Sequence, residues 1–205
     1  MSPKACAAAM RPCSIDTEAS DADLIARSLA VPNLFTAVFD RHSGEILRYV
    51  YARLGPELAE DVTAETFLAA FRCRDRYDGA WSDARPWLYG IAVRQIRRHR
   101  RVEARRLNLL RSALADGPAE DHSDRVLERV TAARLGPRLA AAVAALPPQD
   151  RELLLLFAWA ELSYAEAATA LGTTTSAVKA RLHRIRVRLR QELGGNNPMN
   201  EENDE

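Results

Sequence analysis

The feature that most constrains the fold of this chain is the pattern of its last periodic segment, from Leu162 to Leu193. Apolar residues recur every three or four positions in both halves of the segment, which is the spacing of amphipathic helices. Ser163 and Glu166 match a capping box and predict the start of the first helix. Gly172 permits a tight turn, and Thr174 predicts the cap of the second helix. The pattern therefore predicts two helices joined by a glycine turn.

The second of these helices has one apolar face and one basic face. The apolar stripe falls at i, i+4, i+7 and i+11 and consists of Val178, Leu182, Ile185 and Leu189. One residue round the helix, the same spacing gives Lys179, His183, Arg186 and Arg190. A solvated charged face is the alternative interpretation. Because cap, turn, stripe and basic face agree, the pattern favours a helix-turn-helix that enters the major groove of DNA.

The composition favours helices and contains two concentrations of positive charge. Apolar residues make up 47% of the 205 residues, and most of them are Ala and Leu, which lose little rotamer freedom in a helix. The net charge is only +1, yet 14 of the 29 lysines and arginines lie in 94–111 and 179–190. Such patches suit a polyanion. For 94–111 alone, contact with nucleic acid and simple solvation of a helix end are both open interpretations.

The chain divides into two helical blocks. Apolar periodicity predicts one domain over 21–106 and a second over 131–193. The acidic segment 107–130 contains a Gly-Pro pair and predicts a flexible linker. Residues 1–20 and 194–205 show no period and predict disordered tails. The expected fold class is all-α, with two small helical domains joined by an acidic flexible linker.

Local signals predict where the helices of the first block begin and end. Asp21 or Asp23 is the expected cap of a short first helix. Gly55-Pro56 predicts a break between two longer helices. A loop is expected over 77–85, with Ser82 or Asp83 as the cap of the helix that follows.

No pattern in the chain indicates enzymatic chemistry. The four histidines are scattered, with no Cys or acid at the spacing of metal ligands, so we expect no metal site. No glycine-rich loop is present for a phosphate, and we expect no cofactor. Asp61 and Glu65 lie one turn apart, which favours a helix surface or a protein contact over acid–base catalysis. No apolar run is long enough to span a membrane, and we expect a cytoplasmic protein.

At this point the chain resembles the extracytoplasmic-function (ECF) group of the bacterial sigma-70 family. LFTAVFDRH at 34–42 resembles the opening of conserved region 2, and DVTAETFLAAF at 61–71 resembles its polymerase-binding helix. RPWLYGIAVRQIRRHRR at 85–101 resembles the helix that reads and melts the −10 element. Residues 146–190 resemble region 4, the −35 reader. Two motifs in the family's order are more specific than either alone.

The resemblance implies a role for each matching position. For core polymerase, a contact with the clamp coiled coil of the largest subunit is implied for Asp61, Glu65, Thr66 and Phe67. For the −10 element, the implied residues are Trp87, Arg94, Gln95, Arg98 and Arg101, with the 79–85 loop holding a flipped base. For the −35 element, they are Ser176, Lys179, Arg181, His183 and Arg184. The apolar face of 153–157 is expected to support a contact with the flap of the second-largest subunit.

Two function classes follow from these residues. The first is a promoter-specificity subunit whose partners are core RNA polymerase, promoter DNA and, as the family implies, an anti-sigma factor. The second is a stand-alone helix-turn-helix repressor. A repressor has no reason to carry the motifs at 61–71 and 85–101, so we expect the first class.

Overall fold

The computed structural model describes residues 19–114 and 136–193. Every regular element within these ranges is a helix, which confirms the predicted all-α class. The α-helices are α1 (Asp21–Ser28), α2 (Phe35–Leu54), α3 (Pro56–Arg72), α4 (Arg85–Leu114), α5 (Pro137–Ala144), α6 (Pro148–Ala158), α7 (Tyr164–Leu171) and α8 (Thr175–Glu192). Two short 3-10 turns, Pro32–Leu34 and Arg74–Arg76, precede α2 and follow α3.

The N-terminal domain consists of α1 to α4 around one apolar core. Its fully buried side chains come from all four helices and include Leu24, Ile25, Val38, Ile46, Val50, Val62, Leu88, Ala92 and Ile96. The predicted break between α2 and α3 is present: the Gly55 N–H donates to the Tyr51 carbonyl at 2.8 Å. Pro56 then occupies the first turn of α3, where its missing N–H leaves no helical hydrogen bond unmade.

The cap of α1 differs from the prediction. Ser20 caps the helix, because its Oγ accepts a hydrogen bond from the Asp23 N–H at 3.1 Å. The predicted cap residues, Asp21 and Asp23, were therefore wrong. Asp21 is 6% exposed and points into the domain, where its carboxylate has other partners.

α4 is longer than the sequence predicted. It runs for 30 residues to Leu114, about 45 Å at 1.5 Å per residue. The predicted linker was therefore placed too early at residue 107. Residues 107–114 contain strong helix formers and no Gly or Pro, so the helix continues past the edge of the N-terminal domain.

The C-terminal domain consists of α5 to α8. Pro148 begins α6, and buried Leu146, Leu153, Leu156, Leu162 and Leu182 form the centre of the domain. Its first described helix, α5, begins at Pro137, after Gly136 in the left-handed region with a φ of 86°.

The two domains are in contact: α4 of the N-terminal domain packs against α7 of the C-terminal domain. Most of the predicted linker, residues 1–18 of the predicted N-terminal tail and all of the predicted C-terminal tail lie outside the described residues. Among the helices that are described, none combines the length and the apolar character required to span a bilayer.

Candidate DNA-binding and partner-binding surfaces

The helix-turn-helix formed by α7 and α8 has the predicted local structure. The Glu166 N–H donates to Ser163 Oγ at 3.3 Å, and the Ser163 N–H donates to Glu166 Oε2 at 2.7 Å, so both halves of the capping box are made. Gly172 ends α7 in the left-handed region with φ 62° and ψ 42°. Thr174 Oγ1 accepts the Ala177 N–H at 3.2 Å and caps α8. The turn between the two helices is therefore fixed by local hydrogen bonds.

The predicted apolar stripe of α8 is the face that packs on the domain. Val178, Leu182 and Ile185 are at most 2% exposed, and Leu189 is partly buried. On the opposite side, four of the five predicted −35 residues are exposed: Ser176, Lys179, His183 and Arg184. This exposed side forms one surface with Arg186, Arg188 and Arg190, which are also exposed, and we call it the α8 basic face.

Arg181 lies apart from the other predicted −35 residues. It is partly buried on the side of α8 that faces α6. Its Nε lies 3.2 Å from Asp150 Oδ1, and its Nη2 donates to Gln149 Oε1 at 3.4 Å. Arg181 therefore joins α8 to α6 in this structure instead of presenting its guanidinium to solvent.

The predicted −10 residues lie along one side of α4. Arg94, Arg98 and Arg101 are exposed, and Gln95 is partly exposed. Trp87 is half-buried, with its ring in an edge-on contact with Tyr77 at 5.0 Å between centroids. The structure thus brings three arginines and one aromatic ring to the same side of one helix.

The loop over 79–85 that precedes α4 is held by hydrogen bonds at both ends. The Tyr77 hydroxyl donates to the Trp81 carbonyl at 2.6 Å, and Asp78 Oδ1 accepts the Ala80 N–H at 3.0 Å. Burial raises the pKa of Tyr77, so the hydroxyl keeps its proton and remains a donor. At the start of α4, Asp83 Oδ1 accepts the Arg85 N–H at 2.8 Å. Of the two caps predicted there, Asp83 is the one that bonds.

Asp21 fixes the last turn of this loop from a distance of 63 residues in sequence. Its Oδ2 accepts the Ala84 N–H at 3.0 Å and lies 2.6 Å from His42 Nε2, while its Oδ1 lies 2.9 Å from Arg41 Nη1. Burial raises the pKa of Asp21, but the hydrogen bonds from His42 and Ala84, with the charges beside it, lower it to about 2. We call this group, Asp21, Arg41, His42 and the Ala84 N–H, the Asp21 clasp.

Within the part of the chain that the structure describes, one group of side chains has the composition of a metal site. Ligand atoms of Asp21, His42 and Asp83 lie within 4.8 Å of one another. Both carboxylate oxygens of Asp21 already accept hydrogen bonds from protein groups. The Asp21 carboxylate is therefore satisfied by protein groups alone, whereas His42 Nδ1 is buried without a hydrogen-bond partner.

α3 presents an acidic and apolar strip to solvent. Asp61 is exposed, and Glu65 is partly exposed with Oε2 3.0 Å from His99 Nε2 on α4. Beside these acids, Leu58 and Leu68 are 39% and 48% exposed. The i, i+10 spacing of the two leucines places them on the same side of the helix as Asp61. We call Leu58, Asp61, Glu65 and Leu68 the α3 strip.

Two residues predicted to contact polymerase are not on this surface. Thr66 is fully buried and its hydroxyl donates to the Val62 carbonyl at 2.7 Å, while Phe67 is 5% exposed and stacks edge-on against Phe39. Both side chains therefore hold α3 against the bundle instead of facing a partner. In the C-terminal domain, Leu153, Leu155 and Leu156 are likewise buried, so only Leu154 and Phe157 of the predicted flap face reach solvent.

Two family models match the chain over these same regions. One, described as Sigma-70 region 2, matches residues 38–106, and the other, described as Sigma-70, region 4, matches residues 137–189. The first contains the α3 strip and the arginines of α4. The second contains the helix-turn-helix.

Three curated relatives are 32–33% identical to this chain. The ECF RNA polymerase sigma factor BldN of Streptomyces coelicolor is 32% identical over 178 residues, which are 85% of this chain and 66% of BldN. SigE of Mycolicibacterium smegmatis is 32% identical over 75% of this chain and 59% of its own length. The chain thus spans about two thirds or less of these two relatives. SigL of Mycobacterium tuberculosis is 33% identical over 78% of this chain and 91% of SigL.

Solved structures share the fold. CnrH in complex with the cytosolic domain of CnrY has a TM-score of 0.58 and 26% identity, and covers 86% of this chain and 99% of that chain. The sigma factor RpoE of Bartonella quintana, in complex with the anti-sigma factor NepR, has a TM-score of 0.56 at 19% identity, and covers 80% and 98%. The second likeness concerns the fold alone.

Proposed function

This chain belongs to the ECF group of the sigma-70 family, and we propose that it directs core RNA polymerase to a set of promoters and helps to open their −10 region. The main support for the proposal is that the models of region 2 and region 4 both match this chain, with region 2 before region 4 as in the family. A stand-alone repressor needs only the helix-turn-helix, and it is not favoured.

We assign the −35 contact to the α8 basic face. Lys179 and His183 lie in the first half of the helix, the part of a recognition helix that reaches base edges in the major groove, and Arg184 follows directly after it. Lys and Arg can also hold phosphates, which sets the position of the protein without reading sequence. Arg181 supports this face from its ion pair with Asp150.

We assign the −10 contact to α4 and the loop before it. Arg94, Arg98 and Arg101 are exposed in a row and suit the phosphates of melted strands. Taking a base out of the stack costs a few kcal/mol and needs a preformed pocket to receive it. The hydrogen-bonded 79–85 loop beside Trp87 supplies such a rigid element, and Trp87 offers an aromatic surface for stacking.

We assign the polymerase clamp contact to the α3 strip. Asp61 and Glu65 provide negative charge for a basic partner surface, and Leu58 and Leu68 provide apolar area around it. This assignment replaces Thr66 and Phe67 as direct contacts, since both are buried. A second contact, with the polymerase flap, is proposed for the C-terminal domain through Leu154 and Phe157.

The protein in this proposal is a cytoplasmic, non-catalytic subunit that uses no cofactor. The polymerase carries out the chemistry, and this chain supplies the promoter specificity. Membership of the family also implies a protein regulator, and we propose an anti-sigma factor as a further partner.

Run-off transcription tests the proposed function. The full chain is added to core polymerase with a pool of genomic templates, and the 5′ ends of the transcripts are sequenced. We expect new start sites that share upstream elements near −10 and −35. A repressor would produce no new start sites, and that result would contradict the proposal.

An Asp61→Arg variant tests the polymerase surface in the same assay. Reversing the charge at the centre of the α3 strip places like charges against the basic partner surface, and we expect core binding to weaken at least tenfold, about 1.4 kcal/mol. Asp40→Arg is the matched control, because Asp40 is also exposed but lies on α2. Equal losses in the two variants would count against the α3 strip as the contact.

A further inference from the structure

The face of α4 next to its exposed arginines is occupied by the chain's own C-terminal domain. Arg97 pairs through Nε, at 3.0 Å, and through Nη2 with Glu152 Oε2 on α6. Arg85, in the first turn of α4, donates to the carbonyl of Ala160, two residues after the end of α6. Between these two contacts, Gly90 lies directly against Ala170 of α7. Three contacts along about three turns of one helix make up what we call the closed interface.

Gly90 is the point of closest approach in the closed interface. A Cβ at this position would lie 2.8 Å from the Ala170 carbonyl oxygen and 3.3 Å from its Cα, closer than side-chain carbons approach backbone. A glycine inside a helix costs about 1 kcal/mol relative to alanine. The N-terminal domain alone gives no reason for that cost here, because the atoms that a Cβ would meet belong to the other domain. Gly44, in the middle of α2, has nothing within 4 Å of such a Cβ.

The ion pair in the closed interface involves a buried carboxylate. Glu152 is 2% exposed, and a carboxylate is buried at a cost of several kcal/mol unless a charged partner offsets it. That partner, Arg97, comes from the other domain. If the domains separated, water would have to replace Arg97 around Glu152. The ion pair therefore favours this arrangement of the two domains over other arrangements.

The closed interface shares α4 with the predicted −10 residues. Gly90 follows Trp87 by three positions, and Arg97 lies between Arg94 and Arg98. The C-terminal domain therefore borders the surface that DNA would use. It also holds α8 near α4, because α7 packs against both helices and packed helices lie about 8–10 Å apart. Elements about 25 base pairs apart on a promoter are separated by about 85 Å of B-form DNA.

We infer that the free protein closes on itself through Gly90 and the Arg97–Glu152 pair, and that this interface must separate before α4 and α8 can occupy a promoter together. The first half of the inference concerns the free chain alone. The second half rests on the proposed function.

The closed interface is tested on the full chain in solution, without polymerase or DNA. Small-angle X-ray scattering is measured for the wild type, Gly90→Gln and Gly44→Gln. A side chain at position 90 cannot fit against Ala170, so we expect Gly90→Gln to raise the radius of gyration by about 5 Å or more, as two linked domains separate. Gly44→Gln makes the same helix-favouring substitution in open space, and we expect it to leave the radius unchanged.

Circular dichroism of each variant shows whether the helices are intact. If Gly90→Gln lowers the helical signal, Arg97→Gln is measured instead, since it removes the ion pair without adding volume. A folded Gly90→Gln or Arg97→Gln variant whose radius of gyration equals that of the wild type would overturn the closed interface.

The consequence for function is measured as binding to core polymerase. A closed state reduces the apparent affinity by the fraction of molecules that are open, so we expect Gly90→Gln to bind core polymerase several-fold more tightly than Gly44→Gln. Equal affinities would overturn the second half of the inference. Failure of the wild type in run-off transcription would instead contradict the proposed function and leave the scattering result intact.

Discussion

α4 and α8 are both long helices with one buried face and one arginine-rich face, but they are held in different ways. The buried stripe of α8 packs on helices of its own domain, and its start is capped by Thr174, one residue before the helix. α4 is contacted by α2 and α3 of its own domain and by α7 of the other. Its start is fixed by Asp21, more than sixty residues away.

The position of α8 is therefore set by nearby segments of the chain, whereas the position of α4 is set by distant segments. The helices that contact α8 are α5, α6 and α7 of its own domain, so α8 can keep its geometry whether or not the domains touch. α4 changes its surroundings when the domains separate, because Gly90 and Arg97 then lose their neighbours. We expect α8 to keep its position within its own domain whether or not the domains touch. We expect separation of the domains to expose the face of α4 that carries Gly90 and Arg97.

Of the variants that test this comparison between α4 and α8, Leu182→Ala is expected to have the largest effect. Removing a fully buried leucine leaves a cavity and costs about 3 kcal/mol, within a range of about 2–5. Hydrogen exchange should rise throughout 137–193 and stay unchanged in α2 and α3. Val187→Ala is the control, because Val187 is on the same helix and is 37% exposed. An equal rise of exchange in both domains would show that α8 is not held by its own domain alone.

The next largest effect concerns the two helix starts. Asp21 has a pKa of about 2 against its usual 3.8, and this difference stabilises the folded state at neutral pH by about 2 kcal/mol. We expect Asp21→Asn to lower the free energy of unfolding of the N-terminal domain by that amount. Thr174→Ala should cost the C-terminal domain about 1 kcal/mol, the value of one cap. A smaller loss for Asp21→Asn than for Thr174→Ala would reverse the comparison.

The pH dependence of the difference in free energy of unfolding provides a control for this prediction. A carboxylate whose pKa is depressed on folding stabilises fully above its unfolded pKa, and the stabilisation is lost as pH falls toward the folded pKa. The gap between wild type and Asp21→Asn should therefore be constant above about pH 5 and shrink from about pH 4 to pH 2. Denaturant titrations at several pH values measure it. The Thr174→Ala gap should not change over this range.

The smallest effect concerns one contact on the α8 basic face. Arg184→Ala removes an exposed guanidinium from the part of α8 that is proposed to read bases. We expect the transcription rate on templates with a −35 element to fall about tenfold, or 1.4 kcal/mol. Arg188→Ala removes the same charge one turn further along, where we expect a smaller loss that is similar for all templates. Initial rates of run-off transcription measure both variants. Equal losses on every template would mean that Arg184 binds phosphate only.

The sequence predicted the features of the fold that depend on neighbours in the chain. The capping box of Ser163 and Glu166, the left-handed Gly172 and the cap at Thr174 are confirmed, because each is a hydrogen bond or dihedral angle set within a few residues. The stripe of α8 follows from helical spacing alone. The break at Gly55 and Pro56 is confirmed for the same reason.

Features that depend on distant segments were not predictable in this way. Asp21 has the position and residue type of a cap, and nothing near it in sequence indicates that its carboxylate meets Ala84. Thr66 and Phe67 lie in a motif that resembles the polymerase-binding helix of the family, and only the packing of α3 shows that they face inward. The role of Gly90 has no local signal at all, because the atoms that exclude a side chain belong to Ala170, 80 residues later.

The Asp21 clasp also bears on the order in which the N-terminal domain assembles. Joining residue 21 to residue 84 closes a long loop, and the entropy of that closure opposes the contact until α2 and α3 are in place. The contacts of α7 and α8 link neighbours in the chain and carry little of this cost. We therefore expect the helix-turn-helix to form early and the first turn of α4 to form among the last parts of its domain. The same turn should be among the first parts of the domain to loosen when the protein is heated, so the rigidity of the segment assigned to opening DNA depends on a contact that forms late in folding.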